Sequence, residues 1–153
     1  MEKEQVADLF MRGQDCGQVV LSNYAQELGI SADEANRLAA AFGGGSGLGE
    51  TCGAVVGAMM VLGLKHGHKG PDDMEQREAL MAKRAEFIER WMERRGSCMC
   101  RDLLEDDIST AEGLGRILES GKLFTLCPDF VLDALDILDS MDSDIEEKTP
   151  ATE

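Results

Sequence analysis

Phe42-Gly43-Gly44-Gly45-Ser46-Gly47-Leu48-Gly49-Glu50-Thr51-Cys52-Gly53-Ala54-Val55-Val56-Gly57 is the stretch on which the fold of this chain turns. Its first half is too rich in glycine for regular structure. Its second half opens an uncharged run from Thr51 to Leu64 whose small and aliphatic residues suit a helix, not an alternating strand. Thr51 is placed to cap that helix, which is apolar nearly all round through Met59, Met60, Val61, Leu62 and Leu64 and stops at Gly67. Such a helix belongs at the centre of a bundle. Gly53 with Gly57, and Ala54 with Ala58, stand four apart on one side, so a neighbouring backbone can come close. Cys52 falls at the start of this helix, where unpaired amide hydrogens and the positive end of the dipole lower a thiol pKa and favour redox or metal chemistry.

The segments on either side carry helical spacing as well. Upstream, a helix is predicted from Lys3 to Arg12, ending at Gly13. A second runs from Asp15 to Gly29 with Val19, Val20, Tyr24 and Leu28 on one side. Ser31 with Glu34 forms a capping box for a helix over Ala32 to Phe42, whose aliphatic face is Ala35, Leu38, Ala39 and Phe42. Downstream, the longest helix spans Pro71 to Arg95 with Met74, Leu80, Met81, Phe87, Ile88, Trp91 and Met92 as its inner face. Gly96 stops it, and a short helix follows Ser97. Another follows Ser109-Thr110 with Leu114, Ile117 and Leu118. The last opens at Cys127-Pro128 and carries Phe130, Val131, Ala134, Leu135, Leu138 and Met141. Strand-like alternation never persists. The chain therefore reads as all-α, a single compact bundle of about six to seven helices over residues 1–142, with a polar, disordered tail over 143–153 and no internal repeat or linker.

Composition narrows the function. The 153 residues suffice for about one domain, and 30 acidic against 15 basic side chains give a formal charge of -15. That balance argues against nucleic acid and anionic membrane surfaces as partners. The charged start Met1-Glu2-Lys3-Glu4-Gln5 leads into no signal-peptide stretch, so the cytoplasm is the expected location. The run Thr51 to Leu64 is shorter than the roughly 20 residues a membrane span needs. Five cysteines (Cys16, Cys52, Cys98, Cys100, Cys127) are many for such a chain, since thiols there are kept reduced, and they point to redox cycling or metal binding.

Laid on the predicted helices, four thiols share one placement. Cys16 follows capping Asp15, Cys52 follows Thr51, Cys100 follows Ser97, and Cys127 precedes Pro128. If those helix starts converge, four dipole ends make one electropositive pocket able to hold thiolates or a cluster. Arg101 favours a Cys100 thiolate, whereas Asp15 and Glu50 oppose thiolates at Cys16 and Cys52. Cys98 is left as the spare.

Phe42-Gly43-Gly44-Gly45 leading to Gly49-Glu50-Thr51-Cys52-Gly53-Ala54-Val55-Val56-Gly57-Ala58 and then Val61-Leu62-Gly63-Leu64-Lys65 resembles the C_GCAxxG_C_C family. The resemblance continues at Cys100-Arg101-Asp102-Leu103-Leu104 and Cys127-Pro128, and extends from about Leu9 to Met141. It implies a small redox-active protein whose characteristic cysteines are Cys16, Cys52, Cys100 and Cys127, with Cys98 outside the set. Members are often encoded beside transporter genes, which implies an unidentified, transport-linked redox partner.

Two chemistries stay open for those four thiols. In the first, thiol–disulfide exchange or electron transfer without a cofactor, Cys52 attacks and Cys16 or Cys100 resolves, because no Cys-x-x-Cys pair exists and the Gly43 to Gly49 loop lets backbones approach. In the second, Cys16, Cys52, Cys100 and Cys127 ligate zinc or an iron–sulfur cluster, although the only closely spaced pair is Cys98 with Cys100. A third reading is a non-catalytic interaction module, in which Asp133, Asp136, Asp139 and Asp142 meet a basic partner or simply form a solvated helix face. Three further signals carry little. The glycines of Gly44 to Gly49 have the spacing of a phosphate loop, but Glu50 stands where its lysine is needed. His66-Gly67-His68 reads as a helix end before it reads as a metal pair, and the methionines read as core.

Overall fold

A helix that is apolar on all sides has to be largely surrounded, and most of α5 (Gly53–His66) is, with Ala54, Val55, Gly57, Ala58, Val61 and Leu62 buried, Met59 and Met60 partly buried and Leu64 48% exposed near its end. A computed structural model describes residues 1–148, with side chains through Asp144, and among these it contains ten helices and no strand. Ahead of α5 come α1 (Lys3–Met11), α2 (Cys16–Asn23), α3 (Ala25–Leu28) and α4 (Ala32–Ala39). After it come α6 (Met74–Arg95), α7 (Cys100–Leu103), α8 (Ala111–Ser120), α9 (Lys122–Thr125) and α10 (Cys127–Lys148). The all-α class stands as the sequence implies, while the helix count of six to seven falls short. Part of the excess is a break at Tyr24, where the amide bonds back to Leu21 and splits one expected helix into α2 and α3; part is single turns such as α9.

The core sits where α2, α5 and α10 meet, with α4 packed on α2 and α6 on both α5 and α10. The small residues of α5 do what their spacing implies. A Cβ on Gly57 would lie 3.0 Å from the Gly17 carbonyl oxygen and 3.0 Å from the Val20 Cβ, so α2 and α5 touch nearly backbone to backbone. The capping box at Ser31 and Glu34 is present, and the left-handed Gly29 and Gly96 end α3 and α6. Trp91 stacks on Phe87 and meets Phe130 edge-on at 6.5 Å, while its Nε1 donates to the Ser97 carbonyl.

Several expected faces are revised. Met74 and Met81 are 56% and 37% exposed, because mainly the second half of α6, with Phe87 and Trp91, is pressed into the bundle; Met92, next to Trp91, is 42% exposed on the outer side of that half. Leu38, Leu114 and Leu118 are also exposed, leaving Ile117 as the buried side chain of that trio on α8. α10 is helical through Lys148, so residues 143–148 of the expected tail continue the helix; residues 149–153 lie outside the described residues. The acidic series on α10 is a partly solvated face, with Asp136 and Asp139 exposed, but its carboxylates are paired. Asp133 pairs with Arg94 and Arg95, Asp136 with Arg94, Asp139 with the Tyr24 hydroxyl and Asp142 with Lys65. Lys65 also sits 4.6 Å over the Tyr24 ring, so one cation ties α2, α5 and α10 together. No helix among the described residues is long and apolar enough to cross a membrane.

Candidate functional site: four thiols around one cavity

Each of the four thiols is delivered by a helix start. Cys16 is the first residue of α2, directly after Asp15, whose carboxylate accepts from the Gln18 amide. Cys100 opens α7 and Cys127 opens α10, where Pro128 costs no hydrogen bond in the first turn. Cys52 is the capping residue of α5 itself. Thr51 was expected to hold that place, but it forms an isolated antiparallel bridge with Met99 instead. On either side of the bridge the Cys52 amide donates to the Cys98 carbonyl at 2.8 Å and the Cys100 amide to the Glu50 carbonyl at 2.7 Å. This short ladder fixes Cys100 beside Cys52.

The glycine run makes the ladder reachable. Gly44, Gly45, Ser46, Gly47 and Gly49 all have left-handed backbone, which folds the loop back on itself. At Gly45 a side chain is impossible without rearrangement, since a Cβ would lie 2.4 Å from the Glu50 amide nitrogen. Cys16 is brought in by the same close packing that joins α2 and α5. A Cβ on Gly53 would stand 3.3 Å from the Cys16 Cβ.

The four helix starts do converge. Cys16, Cys52, Cys100 and Cys127 all line one cavity of about 220 Å³. Its apolar walls are Phe10 of α1, Leu103 of α7 with Leu104 and Ile108 just beyond it, Leu123 and Phe124 of α9 and Phe130 of α10. All five cysteines are free thiols. The Cys16 thiol lies against two others, Cys127 and Cys52. Cys52, Cys100 and Cys127 are 4%, 7% and 6% exposed, and Cys16 is half-buried as a residue. Cys98 is not part of the lining; its Sγ lies 3.9 Å from the Met92 Sδ.

The electrostatics overturn the expected electropositive pocket. The one charged side chain in the lining is Asp15, whose carboxyl pKa is raised by burial against the pull of backbone amides. Arg101 does not tip Cys100 towards thiolate, because it pairs with Glu50 at 3.0 Å. Cys16 is pushed well above the ordinary thiol range, first by its hydrogen bond to Cys127 and also by burial. Cys52 is likewise pushed well up, by its bond to Cys16 and then by burial. The Ala54 and Val55 amides at the α5 start pull the other way and lose. Cys100 is raised to about 11 and Cys98 is raised too, in both cases mainly by burial. Neighbouring thiols and an apolar setting outweigh the helix dipoles.

A model of the family described as "Putative redox-active protein (C_GCAxxG_C_C)" matches residues 14–141. The chain belongs to the C_GCAxxG_C_C family. The matched span takes in all four characteristic cysteines, Cys16, Cys52, Cys100 and Cys127, and the walls of the cavity they share apart from Phe10. No curated protein and no solved structure gives a significant match.

The zinc or iron–sulfur reading of the same thiols meets no ready ligand set. Among the described residues no group of three or more His, Cys, Asp or Glu side chains is arranged to hold a metal ion. His66 ends α5, with burial lowering its pKa, and neither it nor His68 lies in the cavity.

Proposed function

We propose that this C_GCAxxG_C_C protein is a thiol–disulfide redox protein whose reactive centre is Cys16, with Cys52 and Cys127 as alternative partners and Cys100 as the reserve thiol for Cys52. The observation that carries this reading is that four thiols line one cavity and one of them, Cys16, lies against two others. Oxidation removes the two thiol protons and two electrons and joins the sulfurs; reduction reverses it. The assignment departs from the sequence reading, in which Cys52 attacks, because Cys16 is the thiol that lies against both Cys52 and Cys127.

Raised thiols suit a protein that rests in the reduced state. At neutral pH Cys16, Cys52 and Cys100 keep their protons, so random oxidation is slow and an acceptor has to reach the cavity. Such a resting state fits a reducing compartment such as the cytoplasm, and the family resemblance supports a transport-linked protein as a redox partner. Anaerobic purification, metal analysis and thiol titration on one sample test the proposal. A metal-free protein that loses two or four thiols on mild oxidation is expected. Bound iron with sulfide, or one zinc per chain, would make the cysteines ligands and remove the proposal.

A further inference from the structure

We propose that the cavity over the thiols receives a small, uncharged, ring-sized two-electron acceptor of the quinone type. This rests on the thiol–disulfide reading and adds its substrate class. Size comes first. An apolar cavity of about 150 Å³ is enough to bind benzene. The space here is about 220 Å³, which suits a single substituted ring and is too small for a dinucleotide or a flavin nucleotide.

The walls select the same class. Phe10, Phe124 and Phe130 present aromatic surface from three different helices, and Leu104, Ile108 and Leu123 complete an apolar enclosure. No cationic side chain lines it, and Asp15 repels anions, so phosphorylated or carboxylate oxidants would have to bury unpaired charge. A peptide disulfide would have to carry its backbone amides into the same apolar space. Of the apolar walls the α9 side is the most exposed, with Phe124 at 38% and Leu123 half-buried. Hydroperoxides fit less well, because their reduction is helped by a cation at the leaving oxygen, and no cationic side chain lines the cavity.

The step balances within the site. The Sγ–H bonds of Cys16 and Cys52 break and one S–S bond forms. The two electrons and two protons released convert both quinone carbonyls to hydroxyls. The sulfurs are oxidised and the quinone leaves as the hydroquinone.

Tetramethyl-1,4-benzoquinone is the probe, because its ring has no open carbon for a thiol to add to irreversibly. Fully reduced protein is expected to lose thiols at a rate that saturates with this quinone, forming one hydroquinone per disulfide. The inert hydrocarbon p-xylene should compete. It should also change the emission of Trp91, the single tryptophan, through its edge contact with Phe130. A sulfonated quinone should react at least about tenfold more slowly, since its charge cannot be buried against these walls. A rate that is linear in quinone, indifferent to p-xylene and equal for the sulfonated compound would overturn the cavity assignment. The azo oxidant diamide separates the two levels. A Cys16 disulfide with diamide but none with the quinone removes the substrate class and leaves the redox reading. No Cys16 disulfide with either removes both.

Discussion

Cys16 is the residue on which the chemistry depends. It lies against both Cys52 and Cys127, so changing it to serine should abolish both of its disulfides after mild oxidation and leave Cys52 only its reserve partner Cys100. The same change at Cys52 or Cys127 should leave one partner available. Peptide mapping by mass spectrometry checks this, and a Cys52–Cys127 bond in Cys16→Ser protein would sink the central role. The identities of the four thiols and their helix starts were legible in sequence, because caps and glycine stops are local signals. The sign of their pKa shifts was not. A lone helix start lowers a thiol pKa, but these thiols face one another across four helices and an apolar wall, and that is tertiary information.

At the scale of elements, the α2–α5 contact positions the site. Gly57→Ala sets a Cβ 3.0 Å from the Gly17 carbonyl oxygen and should destabilise the fold by about 1–2 kcal/mol through overpacking, against a smaller gain in helix propensity. Gly63→Ala in the same helix meets nothing within 4 Å and should stabilise by roughly 0.5–1 kcal/mol. Urea midpoints for the pair check both signs, and equal shifts would contradict the close-contact account. The glycine pattern of α5 announced this contact in sequence. Two features did not announce themselves. Thr51 carries every mark of a cap, yet its partner Met99 lies far along the chain and claims it for the bridge. The methionines of α6 have core spacing, but nothing in a periodicity says that half of a long helix stands clear of the bundle.

For the whole molecule, the charge of -15 hides a seam of specific pairs between α10 and the rest. Asp133→Lys unseats Arg94 and Arg95 together and should cost about 1 kcal/mol at low salt, with a smaller effect at high salt, read from denaturation midpoints. The aspartates were visible as a three-residue series, but their partners sit at Tyr24 and on α5 and α6, so a paired seam looked like a bare surface. Stability should also depend on alkaline pH. The native state holds protons on Cys16, Cys52 and Cys100 that the unfolded chain releases at an ordinary thiol pKa of about 8.5. Above that pH the unfolded state binds fewer protons, so stability present at neutral pH is lost as pH rises towards the folded values. Midpoints measured from about pH 8 to 11 should fall, and Cys100→Ser should remove part of the decline that reaches to about 11. The most direct measurement is the disulfide map of metal-free wild-type protein after gentle oxidation. A bond from Cys16 to Cys52 or Cys127, reversed by dithiothreitol, is the expected result. Four thiols that stay unpaired, or pair only through Cys98, would contradict the account.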